Sequence, residues 1–207
     1  STHRAWDSYR AVSRRIAEAV AHEAANAVRE HGEAPLVMVH DYHLFLVPGM
    51  LKQLLAEQGD IPHPFAQFFL HIPWPDPGAW RALPRAWARE VMESLLACEI
   101  VGFQTPRDAE NFLRSAHHFL GASVEFRTGT VRYMGSITRV RTYPISVAVD
   151  EFEEHATRRE VVRLRERISA MRPGGGVSGD GDAAASIDDG KLIVRVDRTD
   201  PSKNIVR

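Results

Sequence analysis

The chain has 207 residues, 44% of them hydrophobic and 26% charged, an ordinary soluble globular profile for one domain and a piece of a second. Its 26 basic and 27 acidic side chains leave a formal net charge of −1, which gives no sign of a nucleic-acid footprint or a polybasic membrane patch. The single cysteine, Cys98, excludes an internal disulfide, and no run of about 18 apolar residues offers a membrane span.

The expected elements alternate. Trp6, Tyr9, Val12, Ile16, Val20, Ala24 and Val28 recur at three- and four-residue steps, which predicts an amphipathic helix from Trp6 to His31 closed by Gly32. A short strand over Leu36–Val39 leads into His40-Asp41-Tyr42-His43, and a helix is expected over Leu44–Gln58. The strand Phe65–Leu70 runs into His71-Ile72-Pro73-Trp74-Pro75-Asp76-Pro77, where three prolines in five residues impose a rigid loop. A helix over Arg85–Cys98 follows, and Leu95-Leu96-Ala97-Cys98 places the thiol in a core, which suits a cytosolic protein. A buried strand is expected at Ile100–Phe103. Thr105 then caps a helix that starts at Pro106 and closes at Gly121. Val124–Arg127, Val131–Tyr133 and Arg139–Thr142 read as a meander turning at Gly129 and Gly135, with Tyr143–Val147 as an extension of the last strand. A charged helix over Glu151–Met171 precedes a Gly, Asp, Ala and Ser stretch at 173–190, read as a linker or insertion. Leu192–Val196 restarts as a strand.

Strands alternating with helices predict a parallel sheet in an α/β fold, with ligand groups on the loops after the strands' carboxyl ends. Three such loops carry chemistry. Asp41 can accept hydrogen bonds from sugar hydroxyls, or it can cap the helix that follows while His40 and His43 pack against it. No further His or Cys cluster completes a metal site with those two histidines. His71 stands on the proline-braced loop, either as a rigidly held functional group or as a satisfied core histidine. Most of the ten histidines, His117 and His118 among them, read as surface residues. Arg198 and Lys203, with a turn-former between them, can hold a diphosphate through a planar fork and a point charge, or can form a solvated charged turn.

In order, Ala5-Trp6-Asp7-Ser8-Tyr9, Val39-His40-Asp41-Tyr42-His43-Leu44, Phe68-Phe69-Leu70-His71-Ile72-Pro73, Ala82-Leu83-Pro84, Gly102-Phe103-Gln104-Thr105, Tyr143-Pro144-Ile145 and Val196-Asp197-Arg198 with Lys203 resemble the trehalose-6-phosphate synthases. These are retaining glycosyltransferases of family 20, and the wording is similar to that of an actinobacterial branch. The resemblance implies a GT-B architecture: a Rossmann-like acceptor-side domain over 1–172, the 173–190 linker, and the first strand and diphosphate loop of a donor-side domain over 191–207. It implies glucose transfer from UDP- or GDP-glucose to glucose 6-phosphate, in the cytoplasm and without a metal. The position of Asp41 contacts the acceptor, that of His71 contacts the donor sugar beside the reacting carbon, and those of Arg198 and Lys203 bind the donor diphosphate. Asp41 and His71 are the expected catalytic pair.

The Arg-to-Lys spacing of the family loop is kept, whereas Asn204 stands where the family usually has glycine. That branch includes enzymes that couple a nucleotide-cyclitol to an aminocyclitol phosphate, the alternative activity alongside related glycosyl-phosphate synthases. A non-catalytic domain that kept the fold is the third reading, disfavoured by four intact site residues. A homo-oligomer is compatible with the sequence and not required by it. The resemblance also implies an internal fragment, with parts of the site upstream of Ser1 and downstream of Arg207. The 207-residue chain alone is therefore expected to show no transferase activity in a coupled assay. Measurable turnover by it would contradict that expectation.

Overall fold

The computed structural model describes residues 2–59 and 61–170. The chain divides after Ile145 into two compact units. The first contains α1 (Thr2–His31), β1 (Leu36–His40), α2 (Val47–Glu57), β2 (Phe65–Phe69), α3 (Arg85–Leu95), β3 (Ile100–Phe103), α4 (Pro106–Leu120), β4 (Ser123–Glu125), β5 (Thr130–Tyr133) and β6 (Ser136–Thr142).

The strands form one sheet in the order β1-β2-β3-β6-β5-β4. β1, β2, β3 and β6 are parallel, and β5 and β4 continue the sheet antiparallel. The connections decide this. A strand reached through a helix can return parallel, whereas β6 follows β5 through two residues and must return antiparallel. Met134 and Gly135 in that turn have φ of 46° and 82°, the left-handed pair that a two-residue hairpin demands. The expected parallel sheet and the expected meander are thus two halves of one mixed sheet.

Most boundaries differ from expectation by a few residues. α1 begins at Thr2 rather than Trp6. The Leu44–Gln58 helix is instead a 3-10 turn over Tyr42–Leu44 followed by α2, because Pro48 belongs at a helix's first positions. β4 ends at Glu125 rather than Arg127, and β6 begins at Ser136 rather than Arg139. Tyr143–Val147 does not extend β6 beyond one rung, from the Tyr143 amide to the Phe103 carbonyl at 2.8 Å.

The core lies on one sheet face. Val39, Phe68, Val101 and Val140 are mutual register partners across the four parallel strands, and all are buried. Leu51, Leu55, Met92, Leu95, Phe112 and Ala116 from α2, α3 and α4 pack in the same cluster. α1 joins through Ala17 and Ala21, with Ser13, Ala24 and Ala25 also buried. The predicted stripe on α1 has the right period but the wrong member at Val12, which is 56% exposed. Small side chains fill the fully buried positions of α1, with Tyr9, Ile16 and Val20 packed partly buried beside them. Cys98 is buried as expected, and burial pushes its thiol far above the usual range.

In the second unit the described residues form α5 (Val149–Thr157) and α6 (Arg159–Ser169). One continuous helix was expected over Glu151–Met171. Arg158, with φ −63° and ψ 134°, takes an extended conformation and divides it. The expected boundaries at 172 and 190 and the strand Leu192–Val196 lie outside the described residues. Among the described residues no helix is long and apolar enough to cross a membrane.

The alanine stripe of α1 is directly testable. Ala21→Leu should overpack the contact with α2 and cost about 1–3 kcal/mol in urea unfolding, whereas Val12→Lys should change stability little. A larger loss from Val12→Lys would place the helix in the wrong phase.

Candidate active site

β1 and β2 run side by side and release their chains at the same sheet edge. The Asp41 amide adds one rung beyond β1 by donating to the Phe69 carbonyl at 2.9 Å. Asp41 then takes φ 71° and ψ 167°, a region that is nearly glycine-only and costs a side-chain-bearing residue on the order of 1–3 kcal/mol. Its carbonyl accepts from the Leu44 amide at 3.1 Å, closing the 3-10 turn.

The Asp41 side chain is no helix cap. It stands at the cap position of the 3-10 turn but accepts no capping hydrogen bond, which corrects the structural reading of this residue. Oδ1 is buried and has no hydrogen-bond partner among the described residues. Oδ2 lies 3.9 Å from Nδ1 of His43, an exposed ring stacked on Tyr42 with centroids 3.9 Å apart. A buried carboxylate oxygen without a donor costs free energy.

His71 is exposed, so the core-histidine reading is not the one realised. Its Nε2 lies 3.1 Å from Nδ1 of His40, and its ring meets the face of Phe69 edge-on at 4.9 Å. Phe69 in turn lies over Gly102. A Cβ added there would stand 2.7 Å from the Phe69 ring and 3.0 Å from Tyr143, so glycine is required for this stack. The structure thus brings His40, Asp41, His43 and His71 together at one sheet edge. Among the described residues no group of three or more His, Cys, Asp or Glu side chains is arranged to hold a metal ion. Arg198 and Lys203 lie outside the described residues.

The loop that carries His71 is held by more than its prolines. Trp74 is 1% exposed, wedged among Phe103, Phe112, Trp80 and Phe45. Its amide donates to Asp108 Oδ1 at 3.0 Å, and its indole N–H donates to Ser115 Oγ at 3.2 Å. Its carbonyl accepts from Asn111 Nδ2 at 3.1 Å. Residues 108, 111 and 115 follow helical spacing, so one face of α4 grips the loop. The α4 cap is as expected: Thr105 Oγ1 accepts from the Asp108 amide at 3.2 Å and donates to Asp108 Oδ2 at 2.6 Å. Asp108 therefore joins helix cap and loop. Sequence reasoning missed Asp108, Asn111 and Ser115. The available signal was a polar stripe at three- and four-residue steps beside the apolar Phe112 and Phe119.

With this geometry in view, comparison with known proteins is decisive. The family profile described as Glycosyltransferase family 20 matches residues 1–207. The chain belongs to this family. It is 36% identical to a trehalose-6-phosphate synthase of Mycolicibacterium vanbaalenii, over 97% of this chain and 36% of that protein. It is 32% identical to the UDP-forming alpha,alpha-trehalose-phosphate synthase 2 of Aspergillus niger, over 97% of this chain and 36% of that one. A crystal structure of the UDP-forming alpha,alpha-trehalose-phosphate synthase from Burkholderia vietnamiensis matches with a TM-score of 0.62 and 27% identity, covering 80% of this chain and 34% of that one. The chain therefore spans about a third of the length of the curated relatives it matches. The expected GT-B class stands, with a mixed sheet in place of a purely parallel one.

The strain at Asp41 has a measurable counterpart. Asp41→Gly should raise the unfolding free energy by on the order of 1 kcal/mol, since relieved strain and the lost orphan oxygen outweigh the added chain entropy. Denaturant titration of the full-length protein checks this. A clear destabilisation would show that the native turn is not strained.

Proposed function

We propose that the full-length protein is a retaining glucosyltransferase that moves glucose from a nucleotide-glucose to glucose 6-phosphate, forming trehalose 6-phosphate. The observation that carries this reading is Asp41: a strained backbone holds its partly exposed carboxylate at the end of β1, engaged in no helix cap, in a chain of this family. The exposed part of such a carboxylate can accept a hydrogen bond from a sugar hydroxyl. Asp41 thus fixes the acceptor, and His71 stands against the donor sugar near the reacting carbon.

Arg198 and Lys203 would neutralise the donor diphosphate as the bond from the anomeric carbon to the phosphate oxygen breaks. The acceptor oxygen bonds to that carbon on the face the phosphate leaves, and the departing phosphate takes the acceptor's proton. This route needs neither a metal nor a protein general base. The Aspergillus and Burkholderia relatives are UDP-forming, which favours UDP-glucose over GDP-glucose as donor. The balanced charge and the single buried thiol suit a cytoplasmic enzyme.

An assay of the full-length protein with UDP-, GDP- and ADP-glucose against glucose 6-phosphate, glycerol 3-phosphate and an aminocyclitol phosphate tests the reaction. Trehalose 6-phosphate is the expected product. Turnover confined to the aminocyclitol phosphate would overturn the sugar-acceptor reading. Arg198→Ala and Lys203→Ala should each weaken donor binding by about 1.5–3 kcal/mol, the loss of one charge-assisted contact. Unchanged donor affinity in both would show that this loop does not hold the diphosphate.

A further inference from the structure

We infer that Tyr9 is a positioning residue whose hydroxyl clamps the turn after Asp41 and so keeps the Asp41 carboxylate in place for the acceptor. The inference rests on the reading of Asp41 as the acceptor's hydrogen-bond partner.

A residue in a nearly glycine-only conformation stays there only when its surroundings hold it. Two backbone bonds hold Asp41 locally: its amide to Phe69, and its carbonyl from Leu44. The first fixes where the chain leaves the sheet, and the second closes the turn on itself. Neither ties the turn to the helical layer. That tie comes from α1. The Tyr9 hydroxyl donates to the Tyr42 carbonyl at 2.8 Å and accepts from the Phe45 amide at 3.0 Å. One oxygen therefore joins both ends of the Tyr42–Phe45 segment, from 33 and 36 residues earlier in the chain.

The phenol is suited to this. Burial pushes its pKa up to about 12, so it keeps its proton and can donate and accept at once across the neutral range. The ring is itself held. Trp6 packs against Tyr9 with centroids 5.3 Å apart and stacks on Trp87 at 4.8 Å and 9°. The Trp6 indole N–H donates to Glu90 Oε2 at 3.1 Å, and Glu90 pairs with Arg10 at 2.9 Å. The first turns of α1 are thus bolted to α3, and Tyr9 passes that rigidity to the Asp41 turn. Without the hydroxyl, Asp41 would be free to relax out of its strained geometry, and the carboxylate would lose its aim.

The test is steady-state kinetics of the full-length protein, with glucose 6-phosphate and UDP-glucose varied separately, for Tyr9→Phe, Asp41→Asn and the double variant. Thr138→Val serves as a stability control, since it removes a buried hydroxyl that donates to the Leu96 and Cys98 carbonyls, away from the turn. Tyr9→Phe should raise the glucose 6-phosphate KM about tenfold, as expected for two net hydrogen bonds, and leave the UDP-glucose KM unchanged. In the Asp41→Asn background the same substitution should add nothing. Thr138→Val should lower Tm and leave both KM values alone. The inference is overturned if Asp41→Asn raises the acceptor KM and Tyr9→Phe does not, or if the two effects simply add. If Asp41→Asn itself leaves the acceptor KM unchanged, the acceptor reading of Asp41 fails, and the clamp's purpose fails with it.

Discussion

Backbone rungs just past the strand ends set everything downstream of them. The Asp41 amide donates to the Phe69 carbonyl, the Leu70 amide to the Gly102 carbonyl, and the Tyr143 amide to the Phe103 carbonyl, at 2.8–3.1 Å. Each bond carries the parallel ladder into the residues where the chain turns away from the sheet. Their joint effect is to fix the starting points of neighbouring loops relative to one another. A slip of one residue would send His40 to the buried face and Val39 to the open one, so the hydrophobic row Val39-Phe68-Val101-Val140 holds the same register from within.

From those starting points the two loops are stabilised by opposite means. The His71 loop is stapled. Trp74 buries an aromatic ring in the core, and its backbone and indole groups are satisfied by α4. The Asp41 loop instead carries an unfavourable backbone and a buried carboxylate oxygen without a donor among the described residues, and it is held from outside. Natural sequences break local rules of this kind where function needs it. A glycine at 41 would relieve the backbone, but it would remove the oxygen. That conflict points to the side chain as the reason for the strain.

Much of this was legible in the residues. Short apolar strands with polar motifs at their carboxyl ends indicated the α/β sheet and put Asp41 and His71 on adjacent loops. Thr105-Pro106 marked the start of α4, and the surroundings of Cys98 marked it as core. Other features were hidden for physical reasons. An aspartate after a strand is equally suited to capping a helix and to standing in a strained turn, and φ is not written in residue type. The partners of Trp74 lie 34 to 41 residues away, so only folding brings them together. Val12 was assigned to the buried stripe of α1 because it is large and apolar, yet the fully buried positions of that helix are Ser13 and four alanines. Arg158 divides a helix that its charge pattern would have allowed to continue. Arg198 and Lys203 lie outside the described residues.

The most direct measurement is a crystal structure of the full-length protein with glucose 6-phosphate and UDP bound together. The account predicts an acceptor hydroxyl within hydrogen-bond distance of the Asp41 carboxylate, with the strained turn unchanged and His71 facing the space left for the donor glucose. An acceptor seated elsewhere, with no contact to the Asp41 carboxylate, would contradict it.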